Sequence, residues 1–212
     1  MRMNRLILAC LSTIAFLSLP AMAELINGDF EQPLTVGWSA VPGTTGLSER
    51  LAGYADNATS VAHLNSTADF TFADGSWVGV SQQAGLRQFV TVEPGQTTLA
   101  FDAIYGASGL EVGNAVVQYS CFTGGAGTVE VTPSLSWGTY ELPLLDADDQ
   151  PLAVGTRYML TIMVEAKSPR SNGQEGQQVS QVAEGYFDNF RFVPEPCSLL
   201  LILAGLPLLR RK

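Results

Sequence analysis

The sequence holds little positive charge, which limits the partners it can have. Between residues 24 and 192 there are 19 acidic side chains against six basic ones, a net charge of −13. Nucleic acids and anionic membrane surfaces are bound through basic patches, so this balance excludes both as partners of that region. A neutral ligand or calcium remains compatible with it.

Catalytic motifs are missing as well. The sequence has no G-x-S-x-G, no H-E-x-x-H and no phosphate-binding loop. Its one histidine, His63, sits in SVAHLN, which is more typical of a partly buried strand residue than of a catalytic base. A glycosidase needs two placed carboxylates, but with 19 acids some pair can always be chosen. The sequence therefore predicts a protein that is not an enzyme.

Between residues 24 and 192 the sequence also lacks the apolar period of an amphipathic helix and a pair of cysteines that could form an internal disulfide. Cys121 is the only cysteine between residues 24 and 192, and its context VVQYSCF predicts a buried strand thiol. Short segments rich in Val, Thr, Tyr and Phe alternate with Gly and Pro, which indicates a β-sandwich or barrel. The polar stretch 168–181 is predicted to be an exposed loop. Strands are predicted at 86–92, 97–105, 114–122, 127–131, 137–145, 157–166 and 186–192.

The first 23 residues have the pattern of a secretory signal peptide. Arg2 and Arg5 precede an apolar stretch over residues 6–19, and small residues follow in an A-x-A arrangement. Cleavage is predicted between Ala23 and Glu24. A retained membrane anchor is the less favoured alternative, because the apolar stretch is short and close to the cleavage site.

The last 20 residues have a pattern of their own. Residues 193–209 are almost all apolar and would span about 25 Å as a helix, near the lower limit for crossing a bilayer. Three cations, ending with Lys212, follow this segment and should stay cytoplasmic. We expect a transmembrane stop-transfer helix, whereas a buried C-terminal helix would leave the cations and the missing polar face unexplained.

This terminus resembles the PEP-CTERM sorting signal of certain Gram-negative bacteria. The resemblance covers residues 193–212 and implies that an exosortase, a membrane-embedded cysteine transpeptidase, recognises and cleaves the tail. The protein would then reach the cell surface or the extracellular polysaccharide. The apolar run is shorter than usual, and Cys197 stands where a small hydroxyl residue is usual. The motif consists of Val193, Pro194, Glu195, Pro196, Arg210 and Arg211.

The region between the two termini resembles carbohydrate-binding modules of the galactose-binding-like jelly-roll class. The resembling segments are ELINGDFEQP at the start, LRQFVTVEPGQTTLAFDA in the middle and YFDNFRF at the end. The resemblance implies that residues 24–192 form a single jelly-roll β-sandwich in an all-β protein. Members of the class bind glycans and often hold one structural calcium, although their relatives include plain adhesion domains.

Three carboxylates are the candidates for a calcium site. Asp29 and Glu31 flank Phe30, so a strand would point both acids to one face and Phe30 into the core. Asp188 lies in the last predicted strand, and pairing of the first and last strands would bring the three acids together. Calcium takes six to eight oxygen ligands, and the resemblance implies an ion at this corner. Ordinary solvated acids are the open alternative.

Aromatic side chains are the candidates for ligand binding, since a flat apolar ring suits the C–H face of a pyranose. Trp77 follows the turn-forming segment ADGS and is the best candidate, together with Tyr54 and Tyr105. For any one of these aromatics taken singly, core packing is the more common role, and Trp38 is predicted to be a core residue.

Three functions are compatible with these patterns. The favoured one is an exported, exosortase-sorted surface or extracellular-matrix protein of a Gram-negative bacterium, with a non-catalytic jelly roll that binds glycan. The second is a structural or adhesive component of a biofilm matrix without a small ligand. The third is a polysaccharide hydrolase or lyase on the same fold. The exosortase, the inner membrane and extracellular polysaccharide are the predicted partners.

Overall fold

The computed structural model describes residues 25–108, 113–170 and 172–194, and these ranges contain strands and turns but no helix. None of the described residues belongs to a helix that could cross a membrane. The cleavage site at Ala23 and Glu24, and the sorting residues Glu195, Pro196, Arg210 and Arg211, lie outside the described residues.

Eleven strands form two antiparallel sheets that pack face to face. One sheet has the strand order β1-β5-β10-β7-β8, and the other has the order β2-β3-β11-β6-β9, with β4 paired to β3. The described residues thus form an all-β sandwich consistent with the predicted jelly roll. The strands are β1 Ser39–Ala40, β2 Leu47–Tyr54, β3 Asn57–Ala73, β4 Ser76–Gly79, β5 Gln82–Thr91, β6 Gln96–Ser108, β7 Gly113–Cys121, β8 Ala126–Val131, β9 Gly138–Pro143, β10 Arg157–Ala166 and β11 Gln178–Pro194.

All seven predicted strands are present, with bounds that shift by a few residues except in the last one. β11 begins at Gln178, eight residues before the predicted start, so the exposed loop is shorter than expected. Within this polar stretch Val179 is half-buried and Gln181 is buried, and both pair with β3. Sheet pairing therefore orders a segment whose polar composition is typical of a loop.

Alternation along each strand builds the core between the sheets. On β10 the buried residues Tyr158, Leu160, Ile162 and Val164 face inward, and the residues between them face outward. The six-stranded sheet supplies the opposing layer, with Phe101 and other fully buried side chains. Burial of each large apolar side chain contributes about 1.5–3 kcal/mol, so the sandwich is stabilised mainly by this layer.

The segment before β1 closes one end of the sandwich without forming a strand. Phe30 is fully buried and packs against Trp38 and Phe190, with ring centroids 5.5 and 6.0 Å away. The backbone N–H of Phe190 donates to the Gly28 carbonyl at 3.0 Å. The predicted core roles of Phe30 and Trp38 are confirmed. The predicted strand is wrong, because residues 26–29 form a turn and Phe30 has a φ of 51°.

A bulge in β11 decides which residues face outward near its end. The register with β6 shifts between Asp188 and Arg191, and Asn189 there has a φ of 53°. A bulge adds one residue to a strand and re-aims the side chains beyond it. Phe190 therefore returns to the core, while Asp188 stays on the outer face with Tyr186.

Candidate functional site

Three rings stack on the outer face of the six-stranded sheet. The Tyr186 ring on β11 lies 3.5 Å from the Tyr54 ring between centroids, with the planes 7° apart. His63 on β3 is directly opposite Tyr186 in the register, and its ring stacks on Tyr186 at 4.6 Å and 10°. Tyr54 ends β2 and precedes Ala55, whose φ of 52° turns the chain toward β3. The hairpin turn therefore places Tyr54 over the sheet.

The stack forms one wall of an open groove. The groove has a volume of about 320 Å³. A Cβ added at Gly106 would meet no atom within 4 Å, so the floor is open at that position. Tyr186 is 7% exposed and Tyr54 is 37% exposed, so Tyr54 offers the accessible ring. The lining residues include Tyr54, Ile104, Gly106, Leu135, Glu184 and Tyr186.

Glu184 supplies the charged group in this groove. Its carboxylate accepts a hydrogen bond from Asn65 Nδ2 at 2.6 Å and a longer one from the Tyr186 hydroxyl at 3.4 Å. Burial raises the pKa of Tyr186 well above its ordinary value, and the adjacent Tyr54 and Glu184 raise it further. Tyr186 therefore stays neutral, and the carboxylate keeps lone pairs for an incoming hydroxyl group.

The stack is held from below and from the side. Tyr186, Val61 and Ile104 form a small buried cluster against which Trp137 packs. Trp137 Nε1–H also donates to the Tyr54 carbonyl at 3.3 Å. His63 Nδ1 lies 2.9 Å from Glu49 Oε1, whereas its buried Nε2 has no hydrogen-bond partner among the described residues. The His63 ring is thus anchored to β2, and the backbone of Tyr54 is anchored to the residue just before β9.

The three predicted ligand-binding aromatics are not brought together. Tyr54 lines the groove, as described above. Trp77 lies on the edge strand β4, half-buried, with its ring edge-on to Phe72 at 5.3 Å. Tyr105 is only 1% exposed and belongs to the core, because inward-facing positions of β6 alternate with outward ones. Because Tyr105 lies in the interior, an external ligand cannot reach its ring.

Tyr186, Glu184 and His63 were missed as site residues. The alternation Val182, Glu184, Tyr186 along the last strand is visible in the sequence and could have suggested a shared face. Their proximity to Tyr54 could not be read in this way, because it depends on how β11, β3 and β2 are aligned.

The predicted calcium acids lie at the same end of the domain but already have other partners. Asp188 is fully buried and accepts hydrogen bonds from Asn57 Nδ2 and Thr59 Oγ1, both at 2.7 Å. Glu31 accepts from the Ser60 backbone N–H at 2.8 Å. These bonds satisfy the carboxylate oxygens from within the chain.

A positive charge also stands beside one of these acids. Arg50 Nη2 is 3.7 Å from Glu31 Oε2, so the guanidinium group already places a positive charge beside this carboxylate. Asp29 is exposed, and its one hydrogen bond with a described residue is accepted from the Glu31 backbone N–H at 3.3 Å. The described residues contain no group of three or more acidic, His or Cys side chains placed to hold a metal. The calcium site at these three acids stays a prediction.

Comparison with known proteins gives the fold but no family. No protein-family model matches the sequence, and a search of curated proteins finds no match. Among solved structures, a family 61 carbohydrate-binding module in complex with β-1,4-galactotriose has a TM-score of 0.50 at 18% identity, covering 82% of this chain and 100% of that one.

Two further carbohydrate-binding modules match less well. The family 11 module of the cellulase Lic26A-Cel5E of Clostridium thermocellum has a TM-score of 0.40 at 15% identity, covering 82% of this chain and 96% of that one. A family 28 module specific for non-crystalline cellulose has a TM-score of 0.44 at 13% identity, covering 80% and 93%. The match at a TM-score of 0.50 shows that this chain shares the β-sandwich fold of the family 61 carbohydrate-binding module.

Proposed function

We propose that the domain is a non-catalytic glycan-binding module and that its ligand lies in the groove beside Tyr54. The observation that carries this proposal is an accessible, pre-stacked aromatic ring next to an anchored carboxylate. A flat ring packs on the C–H face of a sugar, and the Glu184 carboxylate accepts hydrogen bonds from sugar hydroxyls. Because Tyr54 is already held by Tyr186 and Trp137, little conformational entropy is lost on binding.

A glycan array tests this proposal, with variants that separate the groove from the rest of the surface. Gly106→Phe should abolish binding, because the new ring enters open space and fills the groove without disturbing the core. Tyr54→Ala should weaken binding by about tenfold or more, the scale of one lost stacking contact. Val80→Ser, at a 73% exposed position outside the groove, is the matched control.

The array also separates the other two functions. A folded protein that binds no glycan would favour a structural or adhesive matrix component. Hydrolysis of a polysaccharide that is lost when Glu184 is changed to Gln would favour the hydrolase or lyase. Equal loss of binding in Val80→Ser and Gly106→Phe would show that the groove is not the site.

We further propose that the protein is exported, held by its C-terminal segment in the inner membrane, and released to the cell surface or matrix by an exosortase. The apolar stretches and cations of the two termini support this proposal. Mass spectrometry of the extracellular form should find Glu24 at the N-terminus and no peptide from residues 201–212. An intact tail in extracellular material would refute the sorting step.

A further inference from the structure

The strand arginines of the two sheets differ in their partners. Arg50 and Arg191, on the six-stranded sheet, lie 3.7 and 3.5 Å from Glu31 and Asp102. Arg87 on β5 and Arg157 on β10, in the five-stranded sheet, form no ion pair with any described residue. In a region with a net charge of −13, two cations without an acidic partner on one sheet are unexpected.

Aromatic rings lie beside these two arginines on the outer face of the sheet. Phe89 is 44% exposed, and the Arg157 guanidinium carbon lies 4.5 Å from its ring centre. Phe122 is 82% exposed, and its ring is parallel to Phe89 within 13° at 6.4 Å. Arg87 is two residues from Phe89 and faces the same side of β5. We call Arg87, Phe89, Phe122 and Arg157 the arginine–phenylalanine strip.

The strip has the composition of a protein interface rather than of a solvated surface. Phe, Met and Arg are enriched at the centres of interfaces, whereas acidic residues are depleted there. Met159 is directly opposite Phe89 in the register and half-buried, which extends the apolar part of the strip. Since Arg87 and Arg157 have no ion pair among the described residues, a matching surface is one that offers carboxylates.

A second copy of the chain carries such an acidic surface. The turn after β9 contains Asp146, Asp148 and Asp149, and no ion pair to it is formed by the described residues. Asp146 is tied to this turn by accepting the backbone N–H groups of Asp148 and Gln150, whereas Asp148 and Asp149 are exposed. Two carboxylates are thus presented outward on a short, ordered turn.

We propose that the arginine–phenylalanine strip docks onto the 146–149 turn of a second copy of this chain. A symmetric contact of strip with strip would oppose arginine to arginine, so the contact joins two different surfaces. Such a head-to-tail contact does not close on itself unless the rotation happens to form a ring. The strip is small, so each contact is weak and salt-sensitive, and association requires a high local concentration.

Site-specific cross-linking in the full-length chain tests this contact. A photoreactive residue replaces Phe122 in one tagged copy, which is expressed together with a second copy carrying a different tag. We expect a cross-linked species with both tags, and peptide mapping should place the link at residues 146–150 of the second copy. Cross-links that lead only to polysaccharide or other proteins, or that equal those from a photoreactive residue at Val80, would overturn the proposal.

A charge exchange shows whether the strip and the turn meet directly. Arg157→Glu in the photoreactive copy should reduce the cross-link by about tenfold, since two like charges then face each other. A partner carrying Asp148→Lys and Asp149→Lys should restore it. Failure of this exchange in copies that express and fold normally would contradict the docking. Glycan binding in the groove should be unchanged in all of these copies, so this test is independent of the glycan array.

Discussion

The two outer faces of the sandwich differ in the partners of their arginines and in the exposure of their aromatic rings. On the six-stranded sheet, Tyr54, His63 and Tyr186 stack on one another, and Arg191 is paired with an acid. On the five-stranded sheet the arginines have no described acidic partner and Phe122 is mostly exposed. In each sheet, every second side chain points outward. The fold therefore does not fix which side chains occupy either outer face.

The pairing of groups within the chain distinguishes a preformed binding site from a docking surface. Groups that are paired within the chain have lost their conformational freedom before any ligand arrives, which suits a preformed site. Arginines that have no acidic partner among the described residues leave a guanidinium group for the carboxylate of another molecule. The six-stranded face therefore resembles a small-ligand site, and the five-stranded face resembles a docking surface.

The largest effect should come from removing the centre of the ring stack. Tyr186→Ala should lower the free energy of unfolding by about 3 kcal/mol, because it empties a buried site beneath Tyr54. Phe89→Ala should cost less than about 1 kcal/mol, because that ring is already half in water. Urea titration of both variants measures the contrast, and equal losses would show that the two faces are not different in this respect.

A slightly smaller loss is expected for the buried acid of the same face. Asp188→Ala should cost about 2 kcal/mol, because it removes a buried carboxylate and its hydrogen bonds from Asn57 Nδ2 and Thr59 Oγ1. Asp29→Ala, at an exposed position, is the control. Thermal unfolding with calcium and with EDTA tests the calcium prediction at the same time. A calcium-dependent rise in the wild-type melting temperature that Asp188→Ala abolishes would establish the ion.

Alkaline pH should weaken the domain through its buried tyrosines. Burial raises the pKa of Tyr105 to about 12 and also raises the pKa values of Tyr158 and Tyr186. The unfolded chain then loses these protons near pH 10 while the folded chain retains them, so stability is full below about pH 10 and falls as the pH rises.

Denaturant titrations between pH 8 and 11 measure this loss, which should be about 1 kcal/mol per tyrosine at pH 11. Tyr186→Phe should remove its share, because phenylalanine does not ionise. An unfolding free energy that stays constant up to pH 11 would show that these hydroxyl groups are not shielded from water.

The smallest effects should come from the arginines. Arg191→Ala breaks an exposed ion pair with Asp102 and should change stability by at most about 0.5 kcal/mol. Arg157→Ala should leave the unfolding free energy almost unchanged but reduce cross-linking between copies. Analytical ultracentrifugation at low and high salt measures the self-association of the two variants. Equal self-association of both variants would remove the functional distinction between paired and unpaired arginines.

The sequence predicted most of the five-stranded sheet, because its strands alternate regularly. β3 was predicted only around His63, and its composition explains why. Ala62, His63 and Leu64 are buried in succession, since both faces of this central strand are covered, and polar residues such as Ser66 occupy core positions. The sequence of β3 therefore lacks the apolar–polar alternation that predicts a strand, although the segment forms one.

The candidate site was predictable only in part. Tyr54 was identified from its residue type, but its neighbours come from strands far away in the sequence. Tyr186 and His63 face each other only because of the register between β11 and β3. A shift of one residue would turn either side chain to the core. Tyr105 shows the opposite error, since alternation along 97–105 places it on the same face as Leu99 and Phe101 and already indicates a core position.

The position of β11 has a mechanical consequence. This strand of 17 residues lies between β3 and β6 and ends at Pro194, where residues 195–212 continue the chain. A force transmitted through those residues acts along β11 and loads its hydrogen bonds to both neighbours in shear. Many bonds must then break together, whereas an edge strand pulled sideways would open one bond at a time. A domain tethered in this way should resist extension strongly, whether it is held in a membrane or pulled by a bound polymer.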